Sequence, residues 1–275
     1  MVDCCHHRSV FPGLPPHARP SAFADDGPGR YRVRLARDDA DVDRCQSLRW
    51  QAFRATDAVD APGRDCDAFD PVCRHMLIEE AAGGRLVGCF RFMILADGRD
   101  LGQSYATQFY DLSRLAAYPG RMMEVGRFCL HPDVHDPDVL RIAWGAVTRI
   151  VAAERIALLF GCSSFRGTDA AAHLDAFALL KDRHIGPRRW LPKAKAPRVF
   201  RYARRLAGRT PDPARGRKGL PPLLRTYLRM GGWVSDHAVV DADLGTLHVF
   251  TGLEVEMIPR QRVLRVAPEP VASHP

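Results

Sequence analysis

The chain has 275 residues, 46% hydrophobic and 26% charged, an ordinary globular composition with length for one large domain or two small ones and a sizeable core. No run is long and apolar enough to span a bilayer, which excludes an integral membrane protein, and Met1 to Arg30 lacks the apolar centre of a secretory signal. The formal charge of +8 points to acidic partners: nucleic acid, an anionic membrane surface or an acidic protein.

Residues 1–29 are rich in Pro, Gly, His and Arg without periodicity and read as a disordered extension. Cys4-Cys5-His6-His7 could bind a metal, but one short tract supplies no rigid geometry, and no metal site is expected. The eight cysteines, Cys4, Cys5, Cys45, Cys66, Cys73, Cys89, Cys129 and Cys162, form no CxxC pair, as expected of reduced thiols in the cytosol. Tyr31 to Ala36 alternates apolar with charged as a half-buried strand does. A helix follows, with Asp41 or Asp43 as its cap, Cys45, Leu48, Ala52 and Phe53 near helical spacing, and Arg49 within it. Gly63 to Asp70 is a polar loop carrying Asp65, Asp67 and Asp70. Met76–Glu79 and Leu86–Ile94 are strands joined by a turn over 81–84, and Arg91 is a charge inside the second.

Met123-Glu124-Val125-Gly126-Arg127-Phe128-Cys129-Leu130-His131-Pro132 is a strand of mostly apolar or small residues closed by Pro132. Glu124 and Arg127 do not belong in an ordinary buried strand, and positions three apart point to opposite faces. An isolated Gly in a strand marks a bulge, and a bulge at Gly126 would let the two share one face. They are then either a carboxylate–guanidinium pair in a cleft or a structural ion pair at a sheet edge.

Asp136 and Pro137 start a helix whose apolar face is Leu140, Ala143, Trp144, Val147, Ile150 and Val151. Ile156 to Gly161 is a buried strand running out into Cys162-Ser163-Ser164. A helix from Asp169 to Lys181, capped by Thr168, comes next. Residues 193–219 are a basic linker or insert in which ten Lys and Arg face only Asp212, with a short basic amphipathic helix over 198–206. Pro221-Pro222 starts a helix ended by Gly231-Gly232. A hairpin of His237–Asp241 and Thr246–Phe250 completes the domain by about residue 260, before a tail over 261–275.

This order of elements, with its motifs, resembles the ornithine lipid N-acyltransferases, which have a GNAT-like fold and are related to acyl-homoserine-lactone synthases. The motifs are Arg49-Trp50-Gln51-Ala52-Phe53, Asp67-Ala68-Phe69-Asp70-Pro71, Val87-Gly88-Cys89-Phe90-Arg91 and Glu124-Val125-Gly126-Arg127-Phe128. The series continues through Leu159 to Phe165 and Gly167-Thr168-Asp169. Leu220 to Arg229, with Gly232-Trp233-Val234, points to the ornithine branch. The resemblance covers residues 31–258 and implies an α/β (α+β) fold. A GNAT-like core over 30–192 has a mixed central sheet flanked by helices, and residues 220–260 add a C-terminal helix and hairpin to the same domain.

The resemblance further implies a cytoplasmic acyltransferase moving a 3-hydroxyacyl chain from acyl carrier protein to the α-amine of L-ornithine, giving lyso-ornithine lipid, with a peripheral contact to the inner face of the membrane. The acidic and basic positions shared with the synthases fall on Arg49, Asp67, Asp70, Arg91, Glu124 and Arg127. Glu124 would take the proton from the amine, paired with Arg127. Asp67 and Asp70 would bind ammonium groups, Arg91 or Arg127 the carboxylate, and Ser163 and Ser164 would position substrate. No cofactor is expected beyond the thioester co-substrate. GNAT enzymes that use coenzyme A hold its pyrophosphate in a Gly-rich loop before the central helix, but Val134 to Val139 has no glycine and two carboxylates. Competing readings are acylation of another amine, a silent carrier-binding module, and nucleic-acid binding, which no motif supports.

Overall fold

A computed structural model describes residues 29–54 and 63–257. The expected N-terminal extension up to residue 28, with its Cys4-Cys5-His6-His7 tract, and the expected tail over 261–275 lie outside the described residues. In chain order the elements are β1 (Tyr31–Leu35), α1 (Asp39–Phe53), β2 (Arg74–Glu80), β3 (Leu86–Leu95), β4 (Tyr110–Asp111), β5 (Arg121–Leu130), α2 (Pro137–Ala153) and β6 (Ile156–Arg166). They continue with α3 (Leu174–Arg183), β7 (Lys193–Ala194), β8 (Val199–Phe200), α4 (Tyr202–Arg205), α5 (Pro213–Gly219), α6 (Pro222–Arg229), β9 (Trp233–Asp241) and β10 (Thr246–Glu254). They fall into two compact units. One takes the described residues up to Met93 together with Val125–Ala153; the other takes Ile94–Glu124 and the described residues from Glu154 on.

In the first unit β1, β2 and β3 run antiparallel, Tyr31 opposite Glu80 and Met76 opposite Phe90. The alternation of β1 buries Tyr31 and Val33 and turns Arg34 to the other face. There Arg34 meets Asp41 of α1 at 2.5 Å and Glu79 at 2.8 Å. This pairing explains why Asp41 does not cap α1. The cap is Asp38, extended at φ −155°, whose side chain accepts from the Asp41 N–H. Cys45 and Leu48 on the inner face of α1 pack on Leu77, Cys89 and Cys129. The sulfur of Cys89 lies 3.5 Å from that of Cys129, a buried contact that, with burial, pushes the Cys89 thiol up and keeps it protonated. As predicted, α2 begins at Pro137 with the Asp136 side chain accepting from the Asp138 N–H at 2.9 Å.

The hydrogen bonds from Arg34 hold the Asp41 carboxyl at about 2, below its ordinary 3.8. Stability from this group is therefore complete above pH 3.8 and lost as pH falls toward 2. Asp41→Asn should lower stability at neutral pH and flatten the acid limb, as read by urea unfolding across pH.

In the second unit the strand order is β5-β6-β10-β9-β8. β5 joins β6 in parallel from Arg121↔Ile156 to Glu124↔Phe160, and β10 pairs antiparallel with β6 along the whole length from Thr246↔Arg166 to Glu254↔Leu158. That pairing carries β6 five residues past the predicted strand end at Gly161, to Arg166. The helix predicted from Asp169 is in fact a 3-10 turn, Ala170–His173, capped by Asp169 instead of Thr168, and α3 starts only at Leu174.

Residues 198–206 do not form one helix: β8 adds to the sheet beside β9 and α4 is a single turn. Aromatic burial decides this. The Phe200 and Tyr202 rings lie 5.6 and 5.1 Å from that of Phe177 of α3, and the Tyr202 hydroxyl donates to the Ser235 carbonyl. α5 packs on α3 so closely that a Cβ on Gly216 would sit 2.9 Å from the Asp175 carbonyl oxygen. α6 starts at Pro222 as predicted, and its exit turn uses Gly231 at φ +98°. The predicted hairpin is β9 and β10, closed through Gly245 at φ +60°. Among the described residues no helix is long and apolar enough to cross a membrane.

Candidate active site

Four arginines and three aspartates of the first unit form one continuous network. Arg49 of α1, 1% exposed, donates to Asp70 from Nη1 and Nη2, at 2.9 and 2.6 Å, and to the Asp65 carbonyl oxygen from Nε and the same Nη2. Arg91 of β3 bridges Asp70 and Asp67 at 2.6 Å each. Arg127 of β5 reaches Asp65 at 2.9 Å and Asp67 at 3.0 Å, and Arg54 closes on Asp65 at 3.0 Å. A helix, two strands and one loop are thus cross-linked by charge-assisted bonds, the arrangement that buried charges require.

The chain geometry of β5 makes this possible. Gly126 keeps a negative φ, and the left-handed residue is Arg127 itself, at φ 51°. Such a conformation costs a non-glycine residue about 1–3 kcal/mol and clusters at functional sites. The sequence reading put a bulge at Gly126 to bring Arg127 onto the face of Glu124; with this backbone Arg127 bonds Asp65 and Asp67, and Glu124 accepts backbone N–H groups.

The members differ in what is left for a ligand. Asp70 accepts five hydrogen bonds, from Gln46, Arg49 twice, Arg91 and the Asp67 N–H, which exhausts the lone pairs of a carboxylate. It is a buried support for the arginines, not a free ammonium ligand. Burial opposes its ionised form, but Arg49 and Arg91 hold its carboxyl well below the usual range. Burial likewise opposes ionised Asp67, and Arg91 and Arg127 outweigh it. Asp67, with its side chain 22% exposed, and Arg127, at 9%, reach the surface of the network. Asp65, missed as a site residue, is its hub: a fully buried carboxylate contacting Arg49, Arg54 and Arg127. The only signal for it was its place among three aspartates in one polar loop. His75 was also missed. Its ring nitrogen lies 3.0 Å from the Asp70 carbonyl oxygen, and burial lowers its pKa.

Glu124 belongs to the second unit, where β5 pairs with β6. Its buried carboxylate accepts one N–H on each oxygen, from Tyr105 at 2.7 Å and Ala106 at 2.8 Å. Those amides open the 3-10 turn Tyr105–Gln108, so Glu124 fixes the turn to the sheet. Backbone donors leave no mark in a sequence, and nothing there announced them. Ser163 and Ser164, adjacent in β6, point to opposite faces. The Ser163 hydroxyl is buried and accepts from Thr251 at 2.9 Å, while Ser164 is exposed. Among the described residues no group of His, Cys, Asp or Glu could hold a metal ion.

An acetyltransferase (GNAT) domain family matches residues 48–145, a span that contains Arg49, Asp65, Asp67, Asp70, Arg91, Glu124 and Arg127. The L-ornithine N(alpha)-acyltransferase of Rhodobacter capsulatus is 32% identical over 240 residues, covering 83% of this chain and 92% of that protein. The L-ornithine N(alpha)-acyltransferase of Rhizobium meliloti is 30% identical over 254 residues, 86% of each. A looser likeness links the chain to the AHL synthase LasI, at 15% identity and a TM-score of 0.43 over 82% of this chain and 89% of that one. The chain is a GNAT-type acyltransferase and belongs to the L-ornithine N(alpha)-acyltransferase family.

Proposed function

We propose that the protein transfers a 3-hydroxyacyl chain from acyl carrier protein to the α-amine of L-ornithine, giving lyso-ornithine lipid in ornithine lipid biosynthesis. The observation that carries the acceptor is the 32% identity to a relative of that name over 92% of its length. For the donor, support comes from the start of α2. Asp136 accepts the Asp138 N–H and pairs with Arg30, so a pyrophosphate at this helix end would meet carboxylates where it needs amides. A thioester is already reactive and calls for no cofactor.

The residues divide the work. Ornithine's α-amine must lose a proton before it attacks. Glu124 takes it, directly or through water, because each oxygen that holds a backbone N–H can accept a further bond. Arg127, at the surface of the network, faces the amino-acid carboxylate, and Asp67 receives ammonium. Arg91, Arg49, Asp70 and Asp65 fix those two in position, and Ser164 offers an exposed hydroxyl to substrate. The full chain, given 3-hydroxyacyl carrier protein and L-ornithine, should yield a product with the mass of the N-acyl amino acid. Turnover with lysine or a homoserine derivative, and none with ornithine, would overturn the reading. Lipids of cells with and without the gene, compared by mass spectrometry, test the product in place.

A further inference from the structure

The basic stretch over 193–219 is not a loose insert but part of the folded second unit. β8 lies at the end of that unit's strand order. α4 and its exit loop are pinned to α3 by Lys181, whose ammonium donates to the carbonyls of Leu206 and Arg209 at 3.0 Å each. α5 lies against α3 through Gly216 and Gly219. The apolar side chains of this layer, Tyr202, Leu206 and Leu220, face the core with Phe177 and Leu180, and the basic ones are left outside.

Three of these cations are paired with carboxylates among the described residues. Arg209 pairs with Asp175, Arg215 with Asp212 and Lys193 with Asp111. Arg198, Arg204, Arg205 and Lys218 are exposed and make no ion pair among the described residues, while Arg201 and Arg217 feel Asp236 and Asp212 only at longer range. Six exposed like charges held on ordered backbone, four of them without an ion pair among the described residues, raise a local positive potential, whose self-repulsion opposes the compact state.

We propose that this layer of β8, α4 and α5 is the docking surface for an acidic folded protein, the one that bears the acyl thioester; this rests on the carrier-borne donor proposed above. Two observations favour a protein over a membrane. Stable seating in a bilayer interface adds apolar area to charge. Here the aromatic residues of the layer are turned inward, and the one large exposed hydrophobic among the described residues is Met257, beyond β10. Five of these six exposed cations are also arginine, whose planar fork matches carboxylates two-pronged, the group an acidic protein displays.

The test uses the full chain with Arg201, Arg204 and Arg205 changed to Glu, and a second variant with Arg217 and Lys218 changed to Glu. Both sets are exposed, and thermal unfolding of each variant at the wild-type temperature verifies the fold; a variant with the same residues changed to Gln replaces either one that unfolds. The KM for the carrier-borne thioester should rise on the order of tenfold at low salt, with kcat kept. Turnover of the same acyl group on a pantetheine fragment should not change. Added salt should raise the wild-type KM and leave the reversed variants nearly flat. An unchanged carrier KM in both variants overturns the docking surface. So does loss of binding to phosphatidylglycerol vesicles with carrier KM unchanged, which would make the layer a membrane contact. A wild-type enzyme that uses the fragment as well as the carrier thioester shows instead that the donor reading has failed.

Discussion

Glu124→Gln should reduce kcat by roughly 10²–10⁴-fold, the span general-base catalysis contributes, with KM for ornithine little changed. The same substitution has a structural cost that must be measured beside it. Each Glu124 oxygen accepts a backbone N–H, from Tyr105 and from Ala106. A glutamine offers one oxygen and one NH₂, so whichever way the amide sits, a donor faces a donor. One buried hydrogen bond is lost and one N–H is left unsatisfied, at about 1–3 kcal/mol. The two roles therefore separate in two readouts. A base predicts that the rate stays low at a temperature where the variant is fully folded, and that it rises with pH as more ornithine is present as free amine. A tether for the 3-10 turn predicts a lowered unfolding temperature with near-wild-type kcat below it. The second outcome would remove Glu124 from the chemistry and leave it as an anchor for Tyr105–Gln108.

What the sequence made legible follows from the range of the interactions involved. Alternation in Tyr31–Leu35 is local, and it is a strand; the hairpin strand read over His237–Asp241 is there too, but it begins four residues earlier, at Trp233. Proline at the head of α2 and α6 removes an N–H the helix would not use, so those starts could be read in advance. The charged positions inside apolar strands, Arg91, Glu124 and Arg127, stood out because burial demands partners, and all three are engaged. What could not be read was set across the fold. Four aspartates lie between residues 38 and 43, each able to cap α1; Arg34, from another strand, takes Asp41 and leaves the cap to Asp38. Arg198 to Leu206 has the periodicity of a basic helix, but pairing with β9 and stacking on Phe177 break it into a strand and one turn. Ser163 and Ser164 look equivalent until β6 fixes the parity of its faces. Strands of two residues, such as β4 and β7, carry no period at all.

Arg49→Met should destabilise the protein by about 3–5 kcal/mol, the cost of breaking a buried pair by removing one partner. Methionine fills much of the volume, so the loss is electrostatic. The Asp65 carbonyl loses its two guanidinium donors, and Asp70 loses two of its five. Arg91 still reaches Asp70 at 2.6 Å, which limits the damage and makes the network non-additive. In urea unfolding, Arg49→Met with Asp70→Asn should therefore cost less than the sum of the singles, by at least about 1 kcal/mol. Arg49→Lys should recover only part of the loss, since one ammonium cannot hold both Asp70 oxygens and the Asp65 carbonyl. The acid limb gives an independent sign. The Asp70 carboxyl is held well below its free value of 3.8, so its contribution is complete above that pH and fades as pH falls through the folded value. Without Arg49 the folded value rises, and the fading must begin at a higher pH. A loss below about 1 kcal/mol, with an unshifted acid limb, would mean that Asp65 and Asp70 are satisfied by Arg54, Arg91 and Arg127 alone and that Arg49 is not needed to hold the site.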